Sequence, residues 1–249
     1  MRLRSRSVVG ILGVAVLALA GCAPAAVQVE PAATPQSPAA TAEAPPTSAE
    51  PTSDPFPGWT TYRNATFGLS FRYPWGWFGP EVYEFEGGVR IEVGSDTVYP
   101  YGTGLDERQP GAPDAYNIVI QHTLNASGWT LEQYRAEQPW LDDNLAVLEL
   151  QDGESLTTAR SLTTRVRGLT VGRFTGVEFI TTLPDAAQTE RVYMRTAFLM
   201  DEALNVITVI GQPINVVVAD PAAWRDSYAS LDAAQEATFR AVVDSIQAP

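Results

Sequence analysis

The chain contains no lysine, one cysteine and one histidine. Each scarcity closes off a chemistry. Without lysine there is no Schiff-base amine, no lysine general base and no phosphate-loop lysine. Cys22 is the only cysteine, so no internal disulfide can form, and the residues after it offer neither a thiol nucleophile nor a cysteine ligand for a metal. His122 is the only histidine, which excludes a histidine-rich zinc site; the HExxH pattern is absent. A Ser-His-Asp triad would have to use His122, yet no Gly-x-Ser-x-Gly elbow occurs. Positive charge is scarce as well. Sixteen arginines face 29 acidic residues, for a net charge of −13. A surface this acidic repels nucleic-acid phosphates and anionic lipid headgroups, so nucleic acid is not an expected partner. The apolar run from Val8 to Ala20 is too short to span a bilayer.

That run has an informative setting. Arg2, Arg4 and Arg6 precede it and Leu19-Ala20-Gly21-Cys22 closes it, which is the order of a secretory signal. The closing residues resemble the lipobox of bacterial lipoproteins, in which a diacylglyceryl group is attached to the cysteine sulfur and the signal is cut just before it. The resemblance implies that 1–21 is a signal peptide and that Cys22 is the lipid attachment site. It also implies a protein anchored to the bacterial cell membrane and facing outside the cytoplasm. Losing the three signal arginines makes the mature chain more acidic still, so lipid would have to hold it without a basic patch. Two or three acyl chains do so stably, whereas one does not.

Residues 22–57 follow as a second segment. Nine prolines stand among Ala, Thr, Ser, Glu and Gln, with almost nothing apolar larger than valine before Phe56. Such a composition cannot offset the entropy of ordering, which predicts a disordered tether. In polyproline conformation, at roughly 3 Å per residue, it would reach on the order of 100 Å. Residues 58–249 are enough for one globular domain with its own core.

Within that domain, Phe67, Leu69, Phe71 and Tyr73 alternate with polar or small residues, and Pro74 ends the run, which predicts a half-buried strand. Val89–Val93 and the stretch around Ile118 and Ile120 repeat the pattern. Gly94 to Asp114 has no period and reads as a long loop. Thr130 is placed to cap a short helix carrying Leu131 and Tyr134, with Trp129 packing from outside and Pro139 ending it. Residues 145–166 support helix and strand equally. Gly168–Phe174, Val177–Thr182, Arg191–Met200 and Asn205–Ile210 read as an antiparallel meander with a turn at Thr175-Gly176. Val206–Ile210 is apolar on both faces and is expected centrally, covered on each side. Asp220 and Pro221 open a final helix, where Phe239, Val242, Val243 and Ile246 form a stripe. The fold class expected is α+β, an antiparallel sheet flanked by helices.

Three stretches together resemble the PsbP-like family. They are Trp59–Asn64 with Phe67–Pro74 and Trp77, then Thr130–Tyr134, then Phe239–Ile246. The resemblance implies an opening hairpin, a first helix, a closing helix and an α/β/α sandwich. It also implies a protein that binds other proteins or has no known activity, with no shared catalytic set, and it brings no cofactor.

Candidate sites are few. His122 ends an apolar strand and reads first as a hydrogen-bonded structural residue. The pairs Glu84/Glu86, Asp142/Asp143 and Asp152/Glu154 read as solvated acids rather than the facing carboxyls a glycosidase needs. Asp96, Asp106, Glu107 and Asp114 share the long loop and are weak calcium candidates, without an Asp-x-Asp-x-Asp-Gly spacing. Eight aromatic residues fall between Trp59 and Phe78. Most read as core, but Trp75 and Trp77 could form an exposed platform for a sugar or partner, with Tyr99 and Tyr101 as further ligand candidates. The function expected is that of a non-enzymatic, lipid-anchored binding or accessory protein engaging another protein. Small-ligand or carbohydrate capture by the sheet face and the 94–117 loop is the alternative, and a hydrolase the weaker one.

Overall fold

The computed structural model describes residues 57–104, 107–109, 111–138, 140–183 and 191–249. The expected signal peptide and the expected tether up to Phe56, with Cys22, lie outside the described residues, as does Asp106.

The alternation at 67–73 forms a hairpin of its own. Strands β1 (Trp59–Asn64) and β2 (Leu69–Pro74) pair antiparallel. Asn64 Oδ1 accepts the Phe67 N–H at 3.1 Å, and Gly68 takes the positive φ the turn requires. The remaining strands build one antiparallel sheet of eight, in the order β3-β4-β5-β10-β9-β8-β7-β6. These are β3 (Phe78–Phe85), β4 (Gly88–Gly94), β5 (Ala115–Thr123), β6 (Ser155–Thr157), β7 (Leu162–Val171), β8 (Phe174–Thr182), β9 (Tyr193–Met200) and β10 (Val206–Ile214). The fold is therefore α+β, as its sequence pattern indicates.

Successive side chains point to opposite faces, so each strand divides its residues between two layers. One face carries Val89, Ile91, Ile118, Ile120, Leu199, Ile207 and Val209. It is covered by the β1–β2 hairpin and by α3 (Trp224–Asp244), whose Phe239, Val242 and Val243 pack into it together with Ile246. Ser70 and Gln247 exchange backbone hydrogen bonds at 2.8 Å, and Ser245 Oγ accepts the Arg72 N–H at 2.8 Å. These contacts fasten the hairpin to the end of α3. The other face carries Val177, Phe179, Phe198 and Val206, against Tyr134 of α1 (Leu131–Glu137) and Leu141 and Val147 of α2 (Trp140–Leu148).

Thr130 closes a complete capping box. It accepts the Gln133 N–H at 3.3 Å, and the Gln133 side chain accepts the Thr130 N–H at 2.9 Å. Asp220 accepts the Ala222 N–H at 2.9 Å, opening a short 3-10 turn (Pro221–Ala223) that leads into α3.

Several expectations need correction. The β7–β8 turn lies at Gly172-Arg173, not Thr175-Gly176, and both of the latter are inside β8. The ambiguous 145–166 region resolves into the end of α2, β6 and the start of β7. β10 is central, between β5 and β9, but it is not covered throughout. Val206, Ile207 and Val209 are buried, whereas Thr208 and Ile210 are only half-buried, because α1 and α2 stop short of them.

Candidate functional site

The polar groups buried deepest do not form a site open to a ligand. Glu178 on β8, Arg195 on β9 and Asp232 on α3 meet between the sheet and the helix, each at most 3 % exposed. Arg195 donates to both Asp232 oxygens at 3.1 Å through Nε, to Asp232 Oδ2 at 2.6 Å through Nη2, and to Glu178 through Nη1. Arg167 Nε reaches Glu178 at 2.6 Å, and Arg240 bonds both Glu178 oxygens at 3.2 Å. Tyr116 Oη donates to Asp232 at 2.9 Å. Burial alone would raise the Glu178 carboxyl, but the hydrogen bonds from Arg240, Arg167 and Arg195 outweigh it and hold it below its usual value. Burial, then the Asp232 charge, pushes the Tyr193 phenol up to about 12 and raises Tyr116 as well. A network of paired charges packed this way orients α3 on the sheet.

His122 is fully buried, but neither ring nitrogen has a hydrogen-bond partner, which corrects the expectation of a hydrogen-bonded residue. Its ring meets Phe174 edge-on at 6.2 Å. Burial lowers its pKa, Asp201 opposes that shift and Arg173 adds to it.

The accessible chemistry lies on the part of the α1–α2 face that those helices leave open. α2 packs at β7 and β8, whereas β4, β5 and β10 present Arg90, Glu92, Asn117, Val119, Gln212 and Ile214 on this face. The register sets them side by side, with Asn117 between Gly94 and Gln212 and Val119 beside Glu92. The loop after β4 stands over them. Ser95 and Tyr116 tie its base, the Ser95 N–H bonding the Tyr116 carbonyl at 2.9 Å and Ser95 Oγ taking the Tyr116 N–H at 2.9 Å. Asp96 Oδ2 accepts the Ala112 N–H at 2.7 Å, and Tyr99 Oη accepts the Gln109 N–H at 3.0 Å. Between loop and sheet is a cleft of about 810 Å³. Arg191, Asn215 and Tyr228 complete its wall.

The aromatic candidates divide. Trp75 is 81 % exposed, whereas Trp77 is half-buried against the main core. Tyr99 lines the cleft. Tyr101, 57 % exposed, lies 4.4 Å from Tyr83 by ring centroids, with the Arg90 guanidinium 5.0 Å over it. The described loop acids, Asp96, Glu107 and Asp114, do not gather. Asp96 and Asp114 accept the backbone N–H groups of Ala112 and Val217, and among the described residues no three His, Cys, Asp or Glu side chains converge as a metal site would require. Each carboxylate pair has at least one member occupied locally. Glu84 takes Asn64 Nδ2, Asp142 takes Arg135, Asp152 takes Arg165 and Glu154 takes the Gln151 N–H. The sequence reading did not single out Arg90, Arg108, Arg191, Asn117 or Gln212. For Arg90, Asn117 and Gln212 the only signal is a polar residue alternating within an apolar strand, whereas Arg108 and Arg191 lie outside the strands and carry no such signal.

No protein-family model matches the chain, and no curated protein matches it in sequence.

Proposed function

We propose that the chain is a non-enzymatic protein, lipid-anchored through Cys22 outside the bacterial cytoplasm, that engages another polypeptide along β3. The observation that carries this reading is the distribution of exposed apolar surface. Of the eight large hydrophobic residues exposed among the described ones, Trp75, Phe78, Val82, Tyr83 and Tyr101 lie on β3 or beside it. β3 is also an end strand of the sheet, paired among the described residues only with β4. Its free edge can take an added strand, main chain giving affinity and side chains selectivity. Glu81, Glu84 and Glu86 line the same edge, and none makes an ion pair among the described residues. The partner of fitting chemistry is therefore an extended segment carrying arginine or lysine. A second copy fits poorly, because antiparallel pairing about Val82 and Tyr83 would set Glu81 opposite Glu84. The lipobox resemblance supports the anchor and the PsbP-like resemblance supports protein binding. Burial of the sole histidine in the core supports a role other than acid–base catalysis.

A photo-cross-linking residue at Val82 tests this in cells, with one at the exposed Val217 as control. The expected result is an adduct specific to position 82 that disappears when Glu81 and Glu84 are both changed to Lys. An adduct equal to that at 217, or one indifferent to the charge reversal, overturns it.

A further inference from the structure

The cleft under the 95–114 loop has a charge opposite to that of the molecule around it. In a chain of net charge −13, its wall gathers three arginines, Arg90, Arg108 and Arg191, against two carboxylates, Glu92 and Asp96. Both carboxylates already have partners. Glu92 takes Arg90 at 2.6 Å and Asn117 Nδ2 at 2.8 Å, and Asp96 takes the Ala112 N–H. Two guanidiniums are left over. Arg108 reaches the Thr103 carbonyl at 3.2 Å and lies 5.5 Å over the Tyr99 ring, but pairs with no acid among the described residues. Arg191 makes no ion pair among the described residues. A guanidinium presents a planar fork of donors that matches a carboxylate or phosphate.

The rest of the wall is suited to hydroxyls. Gln109, Asn117, Gln212 and Asn215 contribute side-chain amides, and Tyr99 and Tyr228 contribute phenols. Asn117 is 9 % exposed, and its Oδ1 has no donor. Gly94 and Gly111 keep this polar wall in place, since a Cβ on either would collide with Asn117 Oδ1 or with Asp96 Oδ2. At about 810 Å³ the cleft lies within the range of small-molecule sites, roughly 300–1,000 Å³.

We infer that this cleft binds a small polyhydroxylated organic anion, of the acidic-sugar class, with the anionic group at Arg108 and Arg191 and the hydroxyls on the amide wall. The inference goes beyond the β3 reading and stands on different residues, so either can fail alone.

The test is calorimetric titration of the purified full chain with glucuronate, glucose 6-phosphate and neutral glucose. Either anion is expected to bind at least about tenfold more tightly than glucose, and the Arg108→Gln/Arg191→Gln double variant to lose at least about tenfold of that affinity. Arg160→Gln, at an exposed position away from the cleft, should leave it unchanged. Three results overturn the inference: neither anion binds, glucose binds as well as the anions, or the double variant binds like the parent chain. A thermal melt of the double variant matching that of the parent shows that lost affinity is not lost folding.

Discussion

Glu178 shows how one residue can hold an element in place. It sits within an apolar run, between Val177 and Phe179, and four charged neighbours converge on the same buried space: Arg167, Arg195, Arg240 and, through Arg195, Asp232. Removing Glu178 leaves the buried Arg195 and Asp232 charged in a medium that solvates them poorly, and Arg167 and Arg240 without their carboxylate. Glu178→Gln should therefore destabilise the protein by roughly 3–5 kcal/mol, read by urea denaturation. A loss below about 1 kcal/mol would mean that water reaches the network. His122 gives a different signature. Burial lowers its folded pKa below 6.5, so in the window below 6.5 the unfolded chain binds a proton that the folded chain refuses. Stability is then complete above that value, falls as pH drops through the window, and levels off below the folded pKa. Glu178 and Asp201 are likewise held below their ordinary carboxylate values of 4.5 and 3.8, so what they contribute is lost only at lower pH than the His122 window. Urea midpoints at pH 7.5 and 5.5 should differ for the parent chain, by at most about tenfold in the folding constant per pH unit, and coincide for His122→Leu. An equal difference in the variant would assign the pH dependence to another group.

Elements were legible where periodicity was strong and illegible where glycine and proline carried two meanings. The strands around Phe71, Ile91 and Ile207, and the closing stripe of α3, follow directly from spacing. Gly176 does not. With Thr175 it reads as a turn, yet it lies inside β8, where a Cβ would strike the Phe198 carbonyl oxygen of β9. A glycine kept for close approach and one kept for a turn look the same in sequence. Gly176→Ala should accordingly cost about 1–3 kcal/mol by forcing β8 and β9 apart, whereas Gly153→Ala meets open space and bears only the strain of a positive φ. Equal melting temperatures for Gly176→Ala and the parent chain would refute the close approach. β3 escaped notice for a related reason. Its Gly79-Pro80 pair reads as a breaker, and only the end position of the strand, with a register shift between Phe78 and Glu81, tolerates it. At α1 the local signal sufficed, and Thr130→Ala should cost about 1 kcal/mol through loss of the capping box.

At the scale of the whole molecule, the candidate site was half legible. The long loop, with Tyr99 and Tyr101, stood out for its lack of period. The arginines and amides of the cleft did not, because β4, β5, β10 and the segments around Arg108, Arg191 and Asn215 bring them together from distant parts of the chain and no motif links them. The proposed anchor would have the reverse character, local in sequence and felt by the entire chain. Among the described residues no helix is long and apolar enough to cross a membrane, and a net charge of −13 gives anionic headgroups nothing to attract. Membrane attachment is then expected to rest on Cys22 alone. Cys22→Ser removes the sulfur that would carry lipid while leaving Ala18 and Ala20, small residues two apart, for ordinary signal cleavage. The variant, with its N-terminal mass confirming that the signal is gone, should move from the membrane to the soluble fraction in low salt and high salt alike. The parent chain should stay membrane-bound in both, because acyl chains, unlike charges, are not screened. A cleaved Cys22→Ser protein that still sediments with membranes would show that something other than lipid holds it, and release of the parent chain by salt would point to charge.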